Sequence, residues 1–351
     1  MTETPRRRPT LADVARAAGV SKGTVSKTLN GRDDVASATR ERVFEAVAAL
    51  GYQSTTAPSA AGRQGRALAV VFDIPASPYI LGVLQGILAS TTAADLDLLT
   101  RLAPDRADRT QRTTAHAWVA AQRSAGALGI IGLTLSEPDA LIDAAADLDI
   151  PFVIVDPVDT RHRRMVSVGS SNWAGARAAI THLLELGHRR IGWIGGPDSS
   201  VAAQDRFQGY RAALDAAGIE VDRALVRADQ FDVAAGARHA RGLLTLPDPP
   251  TAIMAADDEL AVGVLATAHE LGVDVPGRLS IIGFDDTPQA AWTTPPLTSV
   301  HQHLEGMGRM AVQTVLTMAS GTRPPSRHVE LATSLTIRST TGPAPEVVAG
   351  G

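Results

Sequence analysis

Cysteine is absent from the 351 residues, so no disulfide framework, thiol nucleophile or thiolate metal site is available. Lysine occurs only at Lys22 and Lys27, every other basic side chain being arginine. No apolar run reaches the roughly 18 residues of a membrane span, and the opening MTETPRRRPT lacks the apolar core of a signal peptide. A nucleophile elbow G-x-S-x-G, a P-loop and a G-x-G-x-x-G fingerprint are all missing. These absences describe a soluble, cytoplasmic, non-enzymatic chain without a cofactor. What is present is a globular composition, 44% hydrophobic and 20% charged, long enough for two or three domains.

The net charge of −4 hides a division. Residues 1–66 hold 11 Lys/Arg against 6 Asp/Glu, leaving a balance of −9 for the remainder. A basic head on an acidic body is drawn to a polyanion through the head alone. Within the head, TLADVARAAGVSKGTVSKTLN (10–30) holds two short helical patterns joined at Gly19. Thr10 and Asp13 have capping-box spacing, and Ser21 can cap the second helix. At about 100° per residue, Lys22, Gly23, Ser26, Lys27 and Asn30 share an arc of roughly 140°, while Val25 and Leu29 turn inward. That cationic, hydrogen-bonding face suits a DNA major groove. A third helix over Ser37 to Leu50, with Val43, Phe44, Val47 and Leu50 as its inner stripe, closes a small core with Val14, Val20, Val25 and Leu29. The whole reads as a helix-turn-helix.

Residues 53–66, QSTTAPSAAGRQGR, contain no large apolar side chain and read as a linker. From Ala67 short apolar runs alternate with amphipathic helices: ALAVVF, LDLLT, ALGIIGL and FVIVD, then a second series starting with MVSVG (165–169) and running through RIGWIG, ALVRAD, TAIMA and LSIIGF. Such alternation implies right-handed crossovers and parallel sheets, here in two α/β halves. The closing GPAPEVVAGG has the composition of a disordered tail.

Ligands of open α/β sheets sit beyond the carboxyl ends of the strands. Asp73, Asp156, Asp257, Asp258, Asp285 and Asp286 all fall there. Each can equally cap a helix or form a turn; six at one edge point to a cleft whose carboxylates accept from hydroxyls. Arg206 can donate in return, and Tyr79, Phe231 and Trp292 offer flat faces to a sugar ring. Paired carboxylates would also serve glycoside chemistry, but a sugar-processing enzyme leaves the helix-turn-helix unexplained. His301 and His303 have no third ligand at a recognised metal spacing.

Thr10–Asn30 together with TRERV and LGY (39–52), LLELGHRRIGWIGGP (183–197), RFQGYRAAL (206–214), PTAIMAADDELAVGVL (250–265), LSIIGFDDTP (279–288) and TPPLTSVHQ (294–302) resemble the LacI/GalR (lactose-repressor/galactose-repressor) family of bacterial transcription regulators. The resemblance implies an α/β protein with an N-terminal three-helix helix-turn-helix head and a periplasmic-binding-protein-like core of two Rossmann-like parallel-sheet subdomains. Its expected divisions are a DNA-binding domain (1–52), a hinge (53–66), an effector-binding and dimerisation core (67–340) and a disordered tail (341–351). The core would split into an N-subdomain (67–160 and 293–322) and a C-subdomain (161–292 and 323–340).

The same resemblance places base reading on Lys22, Gly23 and Lys27, and phosphate contacts on Thr10, Ser21, Thr24, Ser26, Asn30, Thr39 and Tyr52. It places effector contacts on Asp73, Tyr79, Asp156, Arg206, Phe231, Asp257, Asp285 and Gln302. The implied protein is a homodimer or dimer of dimers on a palindromic double-stranded operator, released by a sugar or oligosaccharide and making no use of a membrane. A corepressor-type sensor of a nucleobase is the alternative within regulation. Three departures stand out: Gly23 offers no side chain where relatives read a base, Asp257 replaces a frequent Asn, and Ala61, with Pro58 before it, stands where relatives wedge a leucine into the minor groove.

Overall fold

The computed structural model describes residues 10–29, 35–50, 66–73, 77–159 and 161–346. The helices up to Leu50 and the strands and helices from Ala67 onward form separate compact units. Asn30, Tyr52, the hinge segment 53–65 with Pro58 and Ala61, and residues 347–351 lie outside the described residues.

The small unit comprises α1 (Leu11–Ala18), α2 (Lys22–Leu29) and α3 (Ser37–Leu50). Asp13 closes the start of α1 by accepting from the Thr10 backbone N–H at 2.9 Å and the Thr10 hydroxyl at 2.6 Å. Gly19 ends α1 at φ 66°, a left-handed conformation that a Cβ disfavours, and the following N–H of Val20 returns to the Ala15 carbonyl at 3.0 Å. Val14, Ala15, Ala18, Val25, Val43 and Ala46 form the core, with Leu11, Val20 and Val47 packed around it. Each fully buried valine contributes roughly 1.5–3 kcal/mol relative to exposure. The α3 stripe differs from the expected one: Ala46 is inside, while Phe44 is 50% and Leu50 37% exposed. Val43, Ala46 and Val47 are three and four residues apart and so share a face; Phe44 is rotated about 100° from Val43.

The large unit runs β1 (Ala67–Phe72), α4 (Pro78–Ala93), β2 (Asp97–Leu102), α5 (Arg106–Arg109), α6 (Arg112–Ser124), β3 (Ala127–Leu133), α7 (Asp139–Asp147), β4 (Phe152–Val155) and β5 (Ser167–Ser170). It continues with α8 (Asn172–Glu185), β6 (Ile191–Gly195), α9 (Val201–Ala216), β7 (Val226–Ala228), α10 (Val233–Leu244), β8 (Ala252–Ala255), α11 (Asp258–Glu270) and β9 (Ser280–Asp285). The last elements are α12 (Pro288–Trp292), β10 (Thr298–His301), α13 (Leu304–Ala319), β11 (His328–Leu331) and β12 (Ser334–Thr336). Among the described residues the strands make two six-stranded sheets, ordered β11-β5-β4-β3-β1-β2 and β12-β10-β9-β8-β6-β7. All neighbours are parallel except β10 and β12. Central strands such as β1 are buried throughout, which is why ALAVVF is apolar without alternation.

Sheet membership corrects the expected subdomain boundaries. The strand at Ser167–Ser170, assigned to the second half, pairs with β4 in the first sheet, and His328–Leu331 pairs beside it. The strand at Thr298–His301, assigned to the first half, lies in the second sheet. A linear reading fails because β4 and β5 are parallel neighbours without an intervening helix, and the chain then crosses between halves at 170–172, 301–304 and 331–334. Two crossings are tied together: the Ser171 N–H donates to the Leu331 carbonyl at 3.0 Å, and the Thr333 N–H to Ser171 Oγ at 3.1 Å.

The tail also departs from expectation. The Gly342 N–H donates to Ser280 Oγ at 3.1 Å, the Gly342 carbonyl lies 3.1 Å from His188 Nε2, and the Ala344 N–H donates to the Leu186 carbonyl at 2.9 Å. Residues 341–346 are therefore docked on the second half, where backbone hydrogen bonding outweighs a composition typical of disorder.

Candidate functional site

In the small unit, Lys22, Gly23 and Lys27 are exposed along α2, Thr24 and Ser26 are half-buried, and Val25 and Thr28 face inward. Ser21 Oγ accepts from the Thr24 N–H at 3.0 Å and lies 2.9 Å from Thr24 Oγ1, so its oxygen caps the helix whose cationic side is displayed. The Thr28 hydroxyl returns to the Thr24 carbonyl at 2.9 Å. Thr10 directs its hydroxyl hydrogen to Asp13, leaving the oxygen as an acceptor, whereas a phosphate requires donors. Thr39 is half-buried in the first turn of α3, with its N–H on the Ala36 carbonyl at 3.0 Å. The display combines two exposed ammonium groups with a helix N-terminus, both attractive to phosphate.

In the large unit, a buried polar cluster forms at the strand ends around Arg206 on α9. Arg206 Nε donates to Asn172 Oδ1 at 2.7 Å, and Nη1 donates to the Ala256 carbonyl at 2.6 Å. The guanidinium carbon lies 3.8 Å from the Phe284 ring centroid, combining stacking with charge. Asp285 ends β9 at φ 102°, an expensive conformation for a residue with a Cβ, and accepts from Gln302 Nε2 at 2.5 Å. Asp257 caps α11 by accepting from the Leu260 N–H at 2.7 Å.

From the first half come Tyr79, on α4, and Asp156, at φ 51° just past β4. The phenol stands beside the Asp156 carboxylate, and both feel Arg206. Burial is the main cause raising the pKa of Asp156, Asp257 and Asp285, and the Arg206 guanidinium partly opposes it in each case. Burial likewise pushes the Tyr79 phenol up, with Asp156 and Asp285 adding to the shift.

The remaining expected residues are placed differently. The Asp73 carboxylate accepts from the Ser136 N–H at 3.0 Å and hydroxyl at 2.6 Å. Phe231 lies against Gly196, where a Cβ would approach its ring to 2.1 Å, so the missing side chain is what admits the aromatic. Trp292 is 73% exposed, a solvent-facing residue rather than a member of the buried cluster. Asp258 is filled by the Thr287 N–H and hydroxyl and the Ser299 hydroxyl, while Asp286 holds His301, Thr336 and Arg338. Those two carboxylates fasten the α12 segment. Among the described residues no group of three or more His, Asp or Glu could hold a metal ion. Sequence reasoning missed Asn172 and Ser136 as partners of Arg206 and Asp73; no local spacing announces either contact, although Asn172 lies two residues past the end of β5. A surface hollow of about 700 Å³ bordered by Trp173, Gln208, Arg211 and Glu220 lies elsewhere, and those polar residues are solvated.

A helix-turn-helix unit joined to two parallel-sheet halves that meet at buried polar groups defines a ligand-responsive DNA-binding regulator. The description "Bacterial regulatory proteins, lacI family" matches residues 10–54, and "Periplasmic binding protein-like domain" matches residues 180–341. The HTH-type transcriptional regulator CelR of Thermobifida fusca is 32% identical over 346 residues, covering 95% of this chain and 98% of CelR. A solved transcriptional regulator CelR–cellobiose complex matches with TM-score 0.70 and 31% identity over 95% of this chain and 100% of the other. The lac repressor dimer bound to operator and the anti-inducer ONPF matches with TM-score 0.72 and 26% identity over 96% and 100%. The chain belongs to the LacI family of bacterial transcription regulators. Membership in that family disfavours the sugar-processing enzyme, and no described helix is long and apolar enough to cross a membrane.

Proposed function

We propose that this protein is a transcriptional repressor that acts in the cytoplasm as a homodimer or dimer of dimers on a palindromic operator, and that a sugar or oligosaccharide releases it. The supporting observation is the meeting of Tyr79 and Asp156 from one half with Arg206, Asp257, Asp285 and Gln302 from the other. A ligand held by both sets differentiates between relative positions of the halves, which is the requirement for a ligand to shift a conformational equilibrium. Lys22 and Lys27 read bases, with Gly23 allowing close approach; Ser21, Thr24, Ser26, Asn30, Thr39 and Tyr52 hold phosphates, with Thr10 contributing through its position at the start of α1. Asp73 and Phe231 border the effector. Residues 1–52 form the DNA-binding domain, 53–66 the hinge and 67–340 the effector-binding and dimerisation core. The relative named in complex with cellobiose supports a glycan as effector.

The test is operator binding by fluorescence anisotropy with and without cellobiose, maltose and other mono- and oligosaccharides. Release from the operator is expected. A ligand that strengthens operator binding would instead establish the corepressor reading, with purine bases as the probes for it.

A further inference from the structure

The polar atoms gathered around Arg206 are unequally divided between acceptors and donors. Asp156, Asp257 and Asp285 bring three carboxylates, and Arg206 is the cation that acts on all three. Its Nε and Nη1 already serve Asn172 and the Ala256 carbonyl, and its charge is shared with Asp285 at 3.4 Å. The body contains no lysine. The N-terminus of α11, a position suited to an anion, is already filled by the carboxylate of Asp257.

Gln302 Oε1, an acceptor, is buried without a hydrogen-bond partner, whereas the Tyr79 phenol is directed to the Asp156 carboxylate. Buried polar groups normally have partners, so Gln302 Oε1 is a position at which a ligand can be recognised. The partner of Gln302 Oε1 must be a donor. A phosphate or carboxylate would bring further negative charge to a place where burial already disfavours it, as the raised pKa values of Asp156, Asp257 and Asp285 reflect. A hydroxyl or ammonium group would satisfy Gln302 Oε1.

Resting on the assignment of this cluster as the effector site, we propose that it selects ligands that are rich in hydrogen-bond donors and carry no negative charge. Neutral or amino sugars enter, and the corresponding sugar phosphates and sugar acids are rejected. Asp156, Asp257 and Asp285 are the selecting groups, and Gln302 and Tyr79 orient the hydroxyls. Asp257 is the most direct determinant, because it combines negative charge with occupation of the helix end that would otherwise receive an anion.

The test is titration calorimetry on the full-length protein near pH 7.5 with cellobiose, cellobionic acid and cellobiose 6-phosphate, and with maltose, maltobionic acid and maltose 6-phosphate. In at least one series the neutral disaccharide should bind, with its acid and phosphate at least about 100-fold weaker, as like-charge contacts in a partly desolvated site dictate. Asp257→Asn should narrow that gap by about tenfold. Asp156→Asn provides the same readout if the first variant melts early. An acid or phosphate that binds as tightly as its neutral parent overturns the charge selection and leaves the effector site standing. Failure of all six ligands, and of glucose and glucosamine, to bind overturns the glycan-effector reading and this proposal with it.

Discussion

Arg206 Nη1 stands 3.4 Å from Asp285 Oδ1, and the two side chains are only 4% and 8% exposed. A buried pair of this kind costs desolvation on both sides, so its presence is weak support for stability, whereas its disruption strands a charge. Arg206→Ala leaves Asp285 without its cation and Asn172 Oδ1 without its donor. The expected loss is about 3–5 kcal/mol of unfolding free energy, the range for breaking a buried pair. Arg206→Lys should also fail to restore ligand response, because an ammonium cannot supply two directed N–H bonds while stacking flat on Phe284. Urea unfolding and sugar-induced release from operator are the measurements; a wild-type response in Arg206→Lys would show that only the charge matters.

The buried carboxylates give stability a pH dependence opposite to that of ordinary acid unfolding. Burial pushes Asp257 up to about 7, and Asp285 also rises. The folded state then holds protons that the unfolded chain has released, so these groups favour folding at low pH, and the Asp257 contribution is lost as pH climbs from about 4 to about 7. His188, whose pKa burial lowers, works in the other direction: its folded form resists protonation, and stability falls as pH drops below its unfolded value of about 6.5. The informative measurement is therefore a difference. Asp257→Asn should raise the melting temperature relative to wild type more at pH 8 than at pH 5, by a few degrees for a change of about 1 kcal/mol. A pH-independent difference would mean that Asp257 keeps an ordinary pKa.

Deleting residues 1–66 should abolish operator binding and leave ligand binding intact, since the small unit has its own core around Val14, Val25 and Val43 and the polar cluster draws only on later residues. Calorimetry on the truncated chain checks this. Loss of ligand affinity together with DNA binding would refute the proposed domain division.

Which parts of this molecule could be read from its sequence follows from how far apart the interacting residues lie. The capping of α1 by Asp13 and the alternation of strand and helix are local, and both are expressed in spacings of a few residues. The Asp residues at strand ends were visible for the same reason, although the sequence does not distinguish Asp257 and Asp285, beside Arg206, from Asp258 and Asp286, which pin α12. The pairing of β5 with β11, the docking of residues 341–346 and the Arg206–Asn172 bond join residues 34 or more positions apart, and nothing local encodes them. Trp292 misled because an aromatic near a strand end suggests a sugar platform, yet it is solvent-exposed.

Lys22→Arg should change which operators are preferred rather than only how tightly DNA is held. Lys22 and Lys27 are exposed on α2, and Gly23 beside Lys22 contributes no side chain to a groove. A lysine presents a compact, rotatable charge that can donate to guanine or to a phosphate, whereas an arginine presents a rigid fork that matches guanine O6 and N7 together. If Lys22 reads a base, the exchange should alter discrimination at one symmetric pair of operator positions by about 1–3 kcal/mol, leaving other positions unchanged. If it holds a phosphate, affinity should shift equally across all operator variants. Gly23→Ala is a useful companion, because the added Cβ would meet nothing nearer than Ser21 Oγ at 3.5 Å and should be accepted by the fold. Weaker operator binding by that stable variant would show that the DNA itself approaches the helix at Gly23. A selection over randomised operators with wild type and both variants reads these outcomes together; unchanged preferences for Lys22→Arg would assign the lysine to the backbone.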